Sequence, residues 1–220
     1  MSATTEKQLD TAAAVTRSML GWGVVAGPFY LVFGLVLAVT RPGFDLGSDA
    51  LSILLLGELG WLQATNLILS GLMVIVAAVG LSRTPGFSRV AAVLVGVYGL
   101  GLIASAFAAP DRPGTGSASV SGVLHLVFGA VGFLALGVAA LVAVAWFRRR
   151  NGASRPGTGG AWSLVAGVVV LVAFTAGGAL SGGPAGVLLL WLAVLVGWAW
   201  LAATSVAAYR TVPHPLLSRR

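Results

Sequence analysis

Long stretches of the chain contain no charged side chain, and this pattern restricts the fold more than any other feature of the sequence. Charges are absent from residues 18–40, 59–82, 90–110, 113–147 and 156–209. Each of the first four stretches can supply one bilayer crossing of about 20 apolar residues, and the last can supply two. Only 9% of the residues are charged, against roughly a quarter in soluble domains. The chain is therefore predicted to be an integral membrane protein.

The predicted fold is all-α, an integral membrane bundle of six transmembrane helices with a short interfacial helix between spans one and two. The spans cover about residues 21–40, 61–81, 91–109, 120–147, 162–180 and 185–208. They make up a transmembrane domain over residues 20–209, between an N-terminal segment of residues 1–19 and a basic tail of residues 210–220. The apolar piece after Asp49 is too short to cross, so we expect it to form the interfacial helix, with Ser48 as its N-cap.

Basic residues are distributed unevenly between the two sides that this topology defines. Of the 13 lysines and arginines, only Arg41 and Arg112 fall in segments on the side opposite the chain ends. Because Lys and Arg are enriched in cytoplasmic loops, both termini are predicted to be cytoplasmic. The abundance of arginine, alanine and glycine suggests a GC-rich bacterial genome, so the predicted location is the bacterial cytoplasmic (inner) membrane.

The composition also bears on partners and cofactors. A net charge of +7 is compatible with nucleic-acid binding, but the basic residues cluster at the ends of apolar runs, where they suit anionic headgroups. The lipid bilayer is therefore a predicted partner and nucleic acid is not. The chain has no cysteine, which excludes disulfides and thiolate chemistry. With one histidine in the predicted membrane region and no phosphate-binding glycine loop, we expect no metal and no cofactor. The oligomeric state is left open.

Polar residues outside the basic loops concentrate at the predicted outer end of the first four spans. His125 lies roughly 8 Å below the end of its span, at 1.5 Å per residue. A buried polar group needs a hydrogen-bond partner, and Asp111 and Asn66 are the expected partners of His125. The cluster consists of Asp45, Asp49, Ser52, Glu58, Gln63, Asn66, Asp111 and His125.

This cluster has two interpretations. In the first, the residues form an outward-facing pocket that binds a small ligand, an ion or a lipid headgroup, with a role in transport, sensing or assembly. In the second, they form a hydrogen-bonded plug that pins the outer loops to the bundle. The plug is the simpler interpretation. Among functional roles, non-enzymatic binding is preferred because no catalytic motif is recognisable. The alternative is an intramembrane enzyme acting on a lipid or envelope substrate, with His125 as acid or base and Asp111 or Asp45 as its partner.

Glycines and tryptophans within the spans are predicted to serve packing. Gly23 and Gly27 are four residues apart, a spacing that lets a second helix approach closely. Trp191 and Trp198 share a face of span six, with Trp200 nearby. Lipid contact or core packing is the favoured interpretation of these rings, and a groove for an apolar ligand is the alternative.

An ordered set of residues resembles the bacterial membrane proteins grouped as Domain of Unknown Function 998. The set comprises Gly43, Phe44, Asp45, Ser52, Gly57, Gly60, Trp61, Leu62, Gln63, Asn66, Gly71, Phe107, Asp111, Gly122 and His125. The likeness extends from span one through span five and is best from Phe44 to Gly71. The resemblance implies a multi-spanning membrane protein, and it implies no particular activity.

Overall fold

The computed structural model describes residues 8–112, 114, 116, 118–150 and 157–217. Across this part of the chain, six helices are long and apolar enough to cross a membrane, which confirms the predicted all-α fold. The helices are α1 (Thr11–Thr40), α2 (Gly60–Ser82), α3 (Arg89–Ala106), α4 (Val120–Arg150), α5 (Gly157–Ala179) and α6 (Pro184–Tyr209). The remaining elements are a 3₁₀ helix (Leu51–Leu55) and two short strands, β1 (Gln8–Leu9) and β2 (Leu216–Leu217).

The first helix begins earlier than the hydropathy pattern predicts, at Thr11 rather than at residue 21. Asp10 caps it, because its carboxylate accepts a hydrogen bond from the amide of Ala13 at 3.0 Å. No glycine or proline interrupts the chain between Thr11 and Leu20, so the helix continues beyond its charge-free portion. Part of the predicted N-terminal segment is therefore helical.

The six helices form a closed ring. Each helix packs against its neighbours in sequence, and α6 returns to pack against α1. The α1–α2, α3–α4 and α5–α6 connections lie at one end of the ring, which we call the loop end. The α2–α3 and α4–α5 connections and both strands lie at the other, which we call the terminal end. This arrangement surrounds a single central axis.

Glycine lies at a close approach between helices in every interface of the ring. A Cβ atom added to Gly71 would lie 2.6 Å from the carbonyl oxygen of Gly99, and one added to Gly101 would lie 2.9 Å from that of Phe128. Such distances leave no space for a side chain, which confirms the predicted packing role. The glycines of the other four interfaces are Gly80 of α2 against α1, Gly167 of α5 against α4, Gly177 of α5 against α6, and Gly23 and Gly27 of α1 against α6.

Two of the three tryptophans singled out in α6 are core residues, as favoured above. The side chains of Trp198 and Trp200 are almost fully buried. The indole nitrogen of Trp200 donates to the hydroxyl of Ser163 at 2.8 Å, which ties α6 to α5. Trp191 is only partly buried, and its indole nitrogen donates to the carbonyl of Leu46 at 3.2 Å. It therefore attaches the α1–α2 connection to the ring.

The two ends of the described chain meet at the terminal end. Strands β1 and β2 pair antiparallel, with Gln8 opposite Leu217, and the amide of Asp10 donates to the carbonyl of Pro215 at 2.8 Å. Both ends therefore lie on the same side of the ring, as an even number of spans requires. That this side faces the cytoplasm stays a prediction.

Arginines at the terminal end contact aromatic rings and backbone carbonyls. The guanidinium of Arg17 lies 4.2 Å from the ring centroid of Tyr209, and that of Arg150 lies 4.6 Å from the ring centroid of Trp146. Arg149 donates to the carbonyl of Gly86 at 3.2 Å. These contacts give the predicted cytoplasmic arginines fixed positions around the ring.

The short helix predicted after Asp49 is present, but it is a 3₁₀ helix and Ser48 is not its N-cap. Ala50 occupies that position, without a side-chain hydrogen bond. The hydroxyl of Ser48 instead donates to the carboxylate of Asp45 at 3.0 Å, a local partner that competes with capping. Its apolar residues Leu51 and Leu54 are buried. Its position relative to the membrane interface stays a prediction.

Candidate functional site

Inside the ring, at the loop end, the helices leave a cavity of about 200 Å³. All six helices and the three loop-end connections contribute to its wall. One lining residue from each helix, in chain order, is Tyr30, Gln63, Tyr98, His125, Phe174 and Trp191. On the deeper side lies Trp198, with its ring centroid 5.3 Å from that of Tyr30 and 5.5 Å from that of Tyr98. These buried ring contacts fill space between α1, α3 and α6 beside the cavity.

A buried amide network forms part of the wall on α2. The side-chain nitrogen of Asn66 donates to the carbonyl of Tyr30 at 3.1 Å and to the side-chain oxygen of Gln63 at 3.3 Å. The hydroxyl of Ser70 donates to the Asn66 oxygen at 3.3 Å. All three side chains are fully buried. Within the described ranges, the amide nitrogen of Gln63 has no hydrogen-bond partner, although Gln63 lines the cavity.

The imidazole of His125 is held by the end of α3. Its Nδ1 atom donates to the carbonyl of Ala108 at 2.8 Å. The expectation that Asp111 or Asn66 binds this ring is wrong, because the carboxylate of Asp111 binds Ser119 and the amide of Asn66 binds Tyr30 and Gln63. The carbonyls at the C-terminal end of a helix lack partners within the helix, and α3 ends beside His125. The histidine therefore connects α4 to the end of α3.

Asp111 organises the α3–α4 connection at the mouth of the cavity. Its carboxylate accepts hydrogen bonds from the hydroxyl of Ser119 at 2.7 Å and from the amide of Ser119 at 2.8 Å. These bonds hold the pKa of Asp111 below its usual value. The Ser119 hydroxyl in turn accepts from the amide of Gly122 at 3.0 Å, in the first turn of α4. A Cβ atom at Gly122 would collide with the Asp111 carboxylate, so the glycine gives this carboxylate its space.

Comparison with known proteins agrees with the resemblance seen in the sequence. A family described as protein of unknown function (DUF998) has a model that matches residues 24–207. The chain belongs to the DUF998 family. The matched range contains all eight predicted site residues and most of the ring. No curated protein and no solved structure matches the chain.

In this DUF998 protein, the three predicted site residues of the α1–α2 connection that carry a carboxylate lie outside the cavity wall. The carboxylate of Asp45 accepts from the amide of Gly47 at 2.8 Å and from the hydroxyl of Ser48. These bonds hold the pKa of Asp45 below its usual value. Asp49 accepts from the amide of Asp45 at 2.9 Å. Glu58 is exposed beyond the 3₁₀ helix. The two aspartates thus stabilise turns within the α1–α2 connection, and their hydrogen bonds do not reach the helices.

Arg41 has a role that the sequence analysis did not assign. Its guanidinium donates to the carbonyl of Leu54 at 2.9 Å and also to that of Leu56. It thereby binds the carbonyls at the end of the 3₁₀ helix, which have no helical partner there. Arg41 lies on the side where basic residues are rare, and this position was the sequence signal for such a local contact.

The structure brings four of the eight predicted residues together around the cavity, and it places Asn66 directly behind one of them. The four are Ser52, Gln63, Asp111 and His125. Apart from Trp191, for which a ligand groove was the alternative interpretation, the aromatic part of the wall was not predicted, because rings on charge-free helices look the same in sequence whether they line a cavity or pack in the core. These rings belong to Tyr30, Tyr98, Phe128, Phe133, Phe174 and Trp191. Among the described residues, no three His, Asp or Glu side chains are grouped closely enough to hold a metal ion.

Proposed function

We propose that this membrane protein binds a small molecule in the cavity at the loop end, which the arginine distribution predicts to face outward. The observation that carries the proposal is the fully buried Gln63. Its amide nitrogen has no partner among the described residues and the side chain lines the cavity. Leaving such a donor unsatisfied costs about 1–3 kcal/mol. A bound molecule that accepts this hydrogen bond would recover that free energy.

The pocket and plug interpretations apply to different residues. Asp45, Asp111 and His125 have hydrogen-bond partners within the protein, so they stabilise the loop end. Gln63 has an unused donor beside an open volume, so it is the residue that a ligand would contact. The buried contact of Trp198 with Tyr98 fills space between helices beside the cavity. This geometry favours a binding or sensing role over passage through the ring.

Binding is favoured over the enzymatic alternative by the surroundings of His125. An acid–base pair requires a carboxylate within hydrogen-bond reach of the imidazole. Here the imidazole binds the backbone carbonyl of Ala108, and the Asp111 carboxylate binds Ser119. The arrangement supports a structural histidine beside a binding cavity.

Thiol labelling tests whether the cavity can be entered, since the chain has no cysteine. Ser105 is 6% exposed and lines the cavity, whereas Ser70 is fully buried behind the amide network. A small membrane-impermeant methanethiosulfonate, added to intact cells, should label Ser105→Cys and leave Ser70→Cys unlabelled. Both variants should label after denaturation in SDS, which serves as the control. Absence of labelling of folded Ser105→Cys would refute an outward-opening cavity.

A further inference from the structure

The charge of the cavity wall restricts what can bind, if the proposed binding function holds. Among the described residues, no lysine or arginine lines the cavity. Arg41, in the neighbouring connection, is engaged by the carbonyls of Leu54 and Leu56. Among the lining residues that the structure describes, Asp111 alone carries a full charge, and its carboxylate accepts two hydrogen bonds from Ser119. An anion would therefore enter a largely apolar space without a compensating cation, which is strongly unfavourable.

The amide network determines which kind of hydrogen bond the wall offers. The carbonyl of Tyr30 can only accept, so it fixes the Asn66 side-chain nitrogen toward itself. The same nitrogen donates its second hydrogen to the oxygen of Gln63. The Gln63 oxygen is thus occupied, and its NH₂ group is the free one. The wall therefore offers a donor, and the complementary ligand group is an acceptor.

The volume and the walls restrict the size and shape of the ligand. An engineered apolar cavity of about 150 Å³ holds one benzene molecule, so about 200 Å³ holds one ring with a few additional atoms. The rings of Phe133 and Phe174 stack with centroids 4.5 Å apart and planes 11° apart, and Tyr98 meets Phe133 edge to face at 5.4 Å. All three residues line the cavity. Flat aromatic walls pack well against another ring.

From these observations we infer that the cavity binds a ring-sized molecule that is not an anion and that carries a hydrogen-bond-accepting oxygen, placed against the amide of Gln63. A carbonyl or ether oxygen on a cyclic compound has the required chemistry. The ring would occupy the space beside Phe133 and Phe174. An anionic ring compound of the same size is disfavoured, because no lysine or arginine among the described residues lines the cavity.

Three probes of similar shape separate the parts of this inference. Acetophenone carries a carbonyl oxygen, ethylbenzene lacks an acceptor, and benzoate is an anion. Each probe is added to purified Ser105→Cys protein, and protection of the thiol from methanethiosulfonate is measured against probe concentration. Acetophenone should protect at a concentration about three- to tenfold lower than ethylbenzene, as expected for one hydrogen bond. Benzoate should protect least.

Two variants on the Ser105→Cys background locate the bound molecule. Gln63→Met removes the donor and should abolish the advantage of acetophenone over ethylbenzene. Gly129→Ala adds a methyl group 3.7 Å from Phe174, an ordinary contact distance, and should weaken protection by both uncharged probes because it reduces the cavity volume. Its control is Gly96→Ala, whose methyl group would lie 3.7 Å from Ala78, away from the cavity. This control should leave protection unchanged. If Gln63→Met does not fold, the Gly129→Ala and Gly96→Ala pair still tests the site.

The outcomes separate this inference from the proposal on which it rests. Labelling of Ser105→Cys with no protection by any probe would mean that the cavity holds water only, which overturns the inference and leaves the accessible cavity in place. Protection by benzoate at a concentration equal to that of acetophenone would overturn the exclusion of anions. Equal protection in the Gly129→Ala and Gly96→Ala proteins would place the probes outside the cavity. No labelling of Ser105→Cys refutes the proposed function itself.

Discussion

Replacing Gly71 by alanine is expected to destabilise the ring of helices, because this glycine lies at a close approach of α2 and α3. The added Cβ atom would lie 2.6 Å from the backbone oxygen of Gly99 and 2.6 Å from Cγ1 of Ile103. The backbone oxygen belongs to a helix and cannot move away alone. The two helices must therefore separate, and their contacts along the interface loosen.

The magnitude follows from two opposing effects. Alanine is better than glycine inside a helix by about 1 kcal/mol, which stabilises any such variant. Overpacking of a tight interface costs about 1–3 kcal/mol. Gly96→Ala has only the first effect, since its Cβ atom would lie 3.7 Å from the nearest atom. Gly71→Ala should thus be less stable than Gly96→Ala by about 1–3 kcal/mol.

Unfolding in mixed micelles with increasing SDS, followed by tryptophan fluorescence, measures this difference. Trp146, Trp198 and Trp200 are buried, so their emission reports the loss of packing. Equal free energies of unfolding for Gly71→Ala and Gly96→Ala, or a more stable Gly71→Ala, would refute the close approach of α2 and α3 at this point.

Three further predictions concern the loop end and the topology. Arg41→Ala removes the hydrogen bonds to the carbonyls at the end of the 3₁₀ helix and should lower the free energy of unfolding by about 1.5–3 kcal/mol; an unchanged unfolding midpoint would contradict this role. The lowered pKa of Asp111 means that its stabilising effect is complete above the ordinary carboxyl pKa and is lost as the pH falls through the lowered value. Asp111→Asn should therefore remove part of the acid sensitivity of unfolding, and identical pH profiles would show that the Ser119 contact is unimportant. Cysteine at Asp45 should react with an impermeant reagent on intact cells, and cysteine at Arg83 should react only after permeabilisation, so labelling of both from outside would show that the predicted topology is wrong.

The number of helices could be predicted from the sequence because each charge-free stretch has to satisfy its backbone hydrogen bonds inside the membrane. The helix ends were predicted less well. α1 begins at Thr11, where Asp10 supplies a cap, because a helix ends at local signals and not where hydropathy falls. Pro28 lies inside the same helix without ending it.

The site could be predicted only in part, for a geometric reason. Helical periodicity puts residues spaced three and four apart, such as Gln63, Asn66 and Ser70, on one face of α2, and these three do form one buried network. Periodicity gave no information on where α3 ends relative to α4. The height of that end along the ring axis determines that His125 binds the carbonyl of Ala108. Partners on other helices depend on relative heights along the ring axis, which no pattern within one helix records.

The glycine contacts between helices have a consequence for how ligand preference can vary within this architecture. Since glycines such as Gly71, Gly101 and Gly177 leave no space for a larger side chain, a substitution that separates the helices there also lowers stability. The diameter of the cavity is therefore set by the packing of the helix backbones. Ligand selectivity would then change through the side chains that line the cavity, such as Phe133 and Phe174, and not through its diameter.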